Sequence, residues 1–268
     1  MKGDFIKYQS SAIHYYTFGQ GPATMFCFHG YGEDGSSFSL LENLAGKEYT
    51  FIAPDLPFHG LTSWNEGLDL TPETLITILE QLAPFSPTQK TGLMGYSMGG
   101  RVCLHLAWLL ADKIDRLVLV APDGLYRNPW YRFVTQTSIG NRLFRYITKH
   151  PSAILATMNA LHRLHLLNNS IYKIGRHHFH SQEERELLYK RWTVMQHFNI
   201  PAKEISTVIL QEQIPTRMLF GKYDGVILSR HASTLQHSGA PVIAYIAEAG
   251  HQLLKEKHSA MIRQLLMD

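Results

Sequence analysis

A chain of 268 residues, 45% hydrophobic and 18% charged, can bury a sizeable core and has the composition of an ordinary globule, not of a disordered or fibrous chain. Its formal net charge of +3, with basic residues scattered along the chain, excludes the electrostatic footprint of a nucleic-acid binder. The start, Met1-Lys2-Gly3-Asp4-Phe5-Ile6-Lys7, has no apolar h-region and no run reaches the length of a membrane span, so the expectation is a cytoplasmic protein with no stable membrane insertion.

In chain order, Ile13 to Phe18 is rich in β-branched and aromatic residues and ends at the turn cluster Gly19-Gln20-Gly21-Pro22, which predicts a strand. Thr24 to Phe28 is a continuous apolar run, the pattern of a strand buried on both faces. Phe38, Leu41 and Leu44 have the spacing of one helical face, closed by Gly46. Phe51-Ile52-Ala53 is a further short strand, stopped by Pro54. Thr71-Pro72 reads as a cap followed by a first-turn proline, with a helix to about Leu82. A strand at 92–95, a helix after Ser97 and a strand at Arg116-Leu117-Val118-Leu119-Val120 follow. Strands alternating with helices predict a parallel sheet with helices on both faces. Cys27 falls in a strand and Cys103 on a helix; both read as small core hydrophobes, and no disulfide framework is suggested.

From about Tyr126 to Ile200 the alternation stops. Helical patterns such as Ile154 to Leu161 replace it, and the capping box Ser181-x-x-Glu184 launches a helix through Leu187, Leu188, Trp192, Met195 and Phe198. The expected organisation is a core of 1–125 and 201–268 carrying a helical cap of 126–200. After Pro201 come a helix from Lys203 to Gln211, strands at Arg217–Phe220 and Val242–Ile246, and a helical tail from about Gln252.

Gly95-Tyr96-Ser97-Met98-Gly99 lies in this strand–turn–helix setting, where G-x-S-x-G places a serine on a sharp, strained turn with its hydroxyl clear of the backbone. The helix after it offers unpaired N–H groups and a positive dipole end. A serine hydroxyl is a poor nucleophile at neutral pH and needs a base, itself oriented by an acid. His251, in Ala249-Gly250-His251, lies directly after the last strand, downstream of Ser97, at the carboxyl edge of the sheet. Two acids compete to orient it. Asp224 and Asp123 each follow a strand and precede a glycine; Asp224 is favoured because its strand comes directly before that of His251. Two N–H donors aimed at one point would make an oxyanion hole. Met98 supplies one, and Tyr31, in Phe28-His29-Gly30-Tyr31-Gly32, the other. His29 reads as a structural histidine that holds this loop.

His29-Gly30, Pro54-Asp55-Leu56-Pro57-Phe58-His59-Gly60, Gly95-Tyr96-Ser97-Met98-Gly99-Gly100, Gly221-x-x-Asp224 and Gly250-His251, in this order, resemble the α/β-hydrolase superfamily over nearly the whole chain. The resemblance implies an eight-stranded, mostly parallel sheet flanked by helices, a helical cap after the sixth strand, and no cofactor. Phe58 stands where the family commonly has glycine. Gly95 to Arg101 also looks like the menaquinone-pathway lyase branch, where the arginine after the double glycine helps bind carboxylates; by that likeness Arg101 is a candidate substrate-binding residue. A serine nucleophile argues against dehalogenase or epoxide hydrolase chemistry.

His177 and His180, in Arg176-His177-His178-Phe179-His180, have the spacing of a helical ligand pair. No cysteine or acid lies close by, so no metal is expected. Tyr126, Trp130, Tyr131, Phe133, Phe144 and Tyr146 read mostly as cap core, with Trp130 and Phe133 as candidates to face the substrate. The reading is a carboxylesterase-like serine hydrolase acting on a small or medium ester, thioester or related acyl compound. Alternatives on the same three residues are a carbon–carbon hydrolase or lyase, a perhydrolase, and a ligand receptor with little turnover.

Overall fold

The chain forms one eight-stranded sheet. Its strands are β1 (Lys2–Tyr8), β2 (Ser11–Phe18), β3 (Ala23–Phe28), β4 (Tyr49–Pro54), β5 (Thr91–Tyr96), β6 (Ile114–Val120), β7 (Thr216–Gly221) and β8 (Val242–Ala247), in the order β1-β2-β4-β3-β5-β6-β7-β8. The computed structural model describes residues 1–166, 172, 175, 179, 181–236 and 239–267. Strands β4 to β8 and β3 pair in parallel, whereas β2 pairs antiparallel with both β1 and β4. The central strands read as apolar runs because both faces are covered: Phe26, Phe28, Met94, Val118 and Leu219 are fully buried. Each such side chain contributes about 1.5–3 kcal/mol over leaving it in water.

The helices are α1 (Leu41–Ala45), α2 (Pro72–Glu80), α3 (Met98–Leu109), α4 (Pro129–Gln136), α5 (Ser138–Lys149), α6 (Pro151–Arg163), α7 (Gln182–Val194), α8 (Ala202–Gln211) and α9 (Ser259–Met267). Local chemistry sets their starts. The Thr71 hydroxyl accepts the Thr74 N–H at 3.1 Å, with Pro72 in the first turn of α2. The Ser181 hydroxyl likewise accepts the Glu184 N–H at 3.1 Å to open α7.

Three elements depart from the sequence reading. The segment in which Phe38, Leu41 and Leu44 predicted one helical face is a 3-10 turn, Gly35–Phe38, followed by the short α1. The Asp34 carboxylate caps that turn by accepting the Ser36 N–H at 2.8 Å, so the chain starts earlier and tighter than periodicity suggests. The tail is not helical from Gln252. Lys255 is extended, at φ −143°, and α9 begins only at Ser259. Strand β1 carries no core-facing alternation, since most of its side chains are exposed, and only its hairpin pairing with β2 defines it.

The chain divides into two compact units. One comprises Met1–Glu66, Thr71–Tyr126 and Phe198–Asp268 and contains the sheet; the other comprises Gly67–Leu70 and Arg127–His197 and is helical. In the helical unit Phe144 of α5 packs its ring against Tyr189 and Trp192 of α7, centroids 5.5 and 5.6 Å apart. No helix among the described residues is long and apolar enough to cross a membrane.

Candidate active site

Strand β5 ends at Tyr96 and α3 begins at Met98, leaving Ser97 alone on the turn, at φ 50° and ψ −114°. A non-glycine residue pays for this conformation, and it persists because its surroundings over-determine it. The Ser97 N–H donates to the Val120 carbonyl at 3.0 Å, and the Ser97 carbonyl accepts the N–H groups of Gly100 and Asp123, both at 2.9 Å. The flanking glycines are a steric necessity. A Cβ on Gly99 would overlap the Phe28 carbonyl, and one on Gly95 would stand 2.5 Å from the Gly99 carbonyl oxygen. Strand and helix therefore touch backbone to backbone, and the half-buried serine is pushed out at the carboxyl edge of the sheet. The Met98 N–H, at the first position of α3, has no acceptor within its own helix.

The loops after β7 and β8 meet at the same edge. The ladder between these strands continues past their ends: Lys222 N–H donates to the Ala247 carbonyl and Tyr223 N–H to the Ala249 carbonyl, each at 2.9 Å. At Gly221 a side chain would strike the Gly250 carbonyl. This close approach carries Asp224 to His251. His251 Nδ1 lies 2.7 Å from Asp224 Oδ2, and His251 Nε2 lies 2.9 Å from Ser97 Oγ. The other Asp224 oxygen accepts the N–H groups of Val226 and Ile227, at 2.8 and 2.9 Å. Burial of this carboxyl opposes its ionisation, but the hydrogen bond and charge of His251 and the two backbone donors outweigh it, so its pKa lies below the ordinary value. With an ionised acceptor on Nδ1, the imidazole proton sits on that nitrogen and Nε2 faces Ser97 as an acceptor. The Tyr96 phenol, its pKa raised by burial and by the charges of Glu33 and Asp224, stays protonated and donates to the His251 carbonyl at 3.1 Å.

Asp123, the competing acid, goes elsewhere. One of its oxygens meets Arg101 Nη2 at 2.5 Å and the other accepts the Gly124 N–H at 2.7 Å. Arg101, the candidate substrate-binding residue, is 8% exposed, on the first turn of α3, with Asp123 across from its guanidinium.

The loop after β3 is held from behind by a network that the sequence reading did not find. His29 Nε2 accepts the Leu56 N–H at 3.0 Å, so its proton is on Nδ1 and donates to the Gly30 carbonyl at 2.8 Å; both nitrogens are used structurally. The fully buried Asp55 accepts from Gly35 N–H at 2.8 Å and Leu61 N–H at 2.9 Å and meets His14 Nδ1 at 2.8 Å. These bonds tie the Gly30–Gly35 loop, which carries Tyr31, to β2 and to the turn after β4. In that turn Phe58 adopts φ 65°, the conformation that explains a glycine at this point of the motif. Glu33 lies in the same loop. Burial raises its carboxyl pKa, against the opposing influence of the Ser37 and Gly30 hydrogen bonds and of His251; Asp34 adds to the rise. The signal that could have revealed the network is Asp55 inside the Pro54–Gly60 motif, but His14, its partner, is far away in sequence.

Trp130 and Phe133 lie on α4 of the helical unit, 54% and 37% exposed, with their rings 5.8 Å apart. Of the aromatics expected as cap core, Tyr131 and Phe144 are buried, whereas Tyr126, Trp130 and Tyr146 are more than half exposed. His177 and His180 lie outside the described residues. Among the described residues no cluster of three histidine, cysteine or acidic side chains could hold a metal. Cys27 and Cys103 are free and buried, and burial pushes both thiols well above their usual pKa.

The sheet order and the glycine-bounded serine turn describe one class of protein, and residues 25–254 match the model of the alpha/beta hydrolase family. The chain belongs to that family. It is similar to a pimeloyl-[acyl-carrier protein] methyl ester esterase of Vibrio parahaemolyticus, 28% identical over 45% of this chain and 46% of the relative. It is also similar to an esterase of Mycobacterium tuberculosis, 30% identical over 45% of this chain and 40% of the relative. The matches thus span under half the length of these curated relatives. Among solved structures, a thermophilic esterase from Thermogutta terrifontis superposes over 99% of this chain and 98% of its own, with a TM-score of 0.67 and 18% identity.

Proposed function

We propose that this protein is a carboxylesterase-like serine hydrolase that cleaves small or medium esters, thioesters or related acyl compounds through an acyl-enzyme. The observation that carries the proposal is one imidazole within hydrogen-bond distance of both a strained serine and a buried carboxylate, at 2.9 and 2.7 Å. Ser97 Oγ attacks the substrate carbonyl while His251 Nε2 takes its proton. Asp224 holds the ring and stabilises the imidazolium. The N–H groups of Met98 and Tyr31 receive the oxyanion. His251 then protonates the leaving group, and a water activated by the same nitrogen releases the acyl chain. No step calls for a cofactor. The esterase names of the relatives support ester substrates as the first class to try.

We also propose that the helical unit contributes to substrate choice through Trp130 and Phe133, which puts exposed aromatic surface where little is needed for folding. The test has two parts. A fluorophosphonate should label wild type and not Ser97→Ala. A panel of p-nitrophenyl esters, acyl thioesters and vinylogous diketones should then show sustained ester turnover. Labelling without turnover on any member would favour a receptor, and turnover confined to the diketones a carbon–carbon hydrolase. Trp130→Ala and Phe133→Ala should change the ratio of short-chain to long-chain rates while labelling survives.

A further inference from the structure

The formal charge of the whole chain is only +3, but it is unevenly distributed. Between Asp123 and Glu183 there is no acidic residue, and eight are arginine or lysine. Helix α5, Ser138–Lys149, lies in this stretch and is fully described. One of its faces is used inside the helical unit: Gly140, Phe144 and Thr148 are buried, and Phe144 meets the rings of α7. The other face is apolar as well. Ile139 is 76% exposed, Leu143 40% and Tyr146 60%. Their spacing of four and three residues lines them up as one ridge along the helix. The exposed Arg142, Arg145 and Lys149 all fall on one flank of that ridge.

We propose that this face of α5 docks on an anionic lipid surface, with the helix lying in the plane of the interface. An apolar ridge bordered by long cationic side chains matches the two layers such a surface presents. Ile139, Leu143 and Tyr146 enter the boundary between headgroups and acyl chains, and the arginines and lysine reach back to the phosphates. The charge complementarity singles out this occupant. A neutral apolar partner would bury the cations without counter-charge, and a purely acidic one would leave the ridge in water. Each basic residue near an anionic leaflet adds to the attraction within a Debye length of the surface. The contact is peripheral and needs no membrane-spanning helix.

The experiment is co-sedimentation of the full chain with vesicles of phosphatidylcholine alone or mixed with phosphatidylserine, at low and at physiological salt. Wild type should bind the mixed vesicles, bind the zwitterionic ones weakly, and lose affinity as salt rises. Arg142→Gln with Arg145→Gln should weaken binding roughly thirtyfold, at about 1 kcal/mol per cation. Ile139→Ser with Leu143→Ser should weaken it at least about tenfold. Lys2→Gln with Lys7→Gln removes the same net charge from exposed positions on β1 and should leave binding unchanged. Circular dichroism melting of each variant separates loss of the surface from loss of the fold. Any of three results would overturn the proposal: a wild type that ignores both vesicles, a β1 variant as weak as the α5 variant, or folded α5 variants that bind like wild type. Retention of wild type on an immobilised acidic protein but not on vesicles would overturn it in favour of a protein partner.

Discussion

Two loops leave neighbouring parallel strands at the same edge of the sheet, and each carries Asp-Gly with two residues between it and the strand's end. After β7, Asp224 turns towards His251, is shielded from water and accepts three hydrogen bonds. After β6, Asp123 turns towards α3, stays partly exposed and meets Arg101. What separates them is the neighbour each loop meets. The β7 loop runs beside the β8 loop, where the glycine at 221 lets its backbone approach the carbonyls of Ala249 and Gly250. The β6 loop runs beside the serine turn and braces it, through the Asp123 N–H on the Ser97 carbonyl. One aspartate therefore acts on the base of the proposed reaction, and the other on the backbone that presents the nucleophile.

In the proposed reaction both loops act through Ser97, so the largest effect is expected there. Ser97→Ala is expected to lower kcat by about 10⁶, read from steady-state ester hydrolysis, with little change in melting temperature. If appreciable rate survives at this position, neither loop has the meaning given to it.

Substituting the acids tests the comparison directly. Asp224→Asn should cost about 10⁴ in kcat, because an amide no longer selects the Nδ1–H tautomer. Asp123→Asn should leave kcat within about tenfold but destabilise the fold by about 2 kcal/mol, since Arg101 keeps its charge in a mostly buried site. Urea unfolding and esterase rates measured on both variants decide it. The assignment of roles is reversed if Asp123→Asn proves the slower enzyme.

The pH dependence of stability sharpens the contrast between carboxyls. The Asp224 pKa is depressed in the folded state, so its stabilisation is present above the unfolded value of about 3.9 and is lost as pH falls through the lower folded value. Wild type should therefore exceed Asp224→Asn in urea midpoint at neutral pH, and the gap should close on acidification below about pH 4. The smallest effect is expected at Glu33, and with the opposite sign. Its pKa is raised chiefly by burial, so the contribution is present below the unfolded value of about 4.3 and is lost as pH rises through the folded one. Glu33→Gln, which keeps an acceptor for Gly30 and Ser37, should raise the urea midpoint at pH 7 and gain nothing in acid. A lower midpoint at pH 7 would show that the charge itself is needed there.

The parallel sheet was legible because a strand covered on both faces must be apolar throughout, as in Thr24 to Phe28 and Leu117 to Val120. The serine turn was legible because the close approach of strand and helix forbids a Cβ at Gly95 and Gly99, which leaves a spelling in the sequence. The nearness of His251 to Ser97 was legible from position, since a residue directly after the last parallel strand emerges at the same edge as one after β5. Local constraints of this kind depend on backbone geometry and on the burial of one segment at a time, so they are written in short windows.

What only the tertiary structure decided lies between windows. Asp123 and Asp224 have the same local chemistry, and their fates differ by which loop stands opposite. The pairing of Arg101 with Asp123 joins a helix to the loop after β6 and is not written in either segment alone. The His14–Asp55 pair joins residues 41 positions apart, and no periodicity announces it. Strand β1, with its exposed side chains, exists because β2 offers it a ladder. A polar or charged side chain takes its role from whichever partner removes it from water, and that partner is chosen by how distant segments pack.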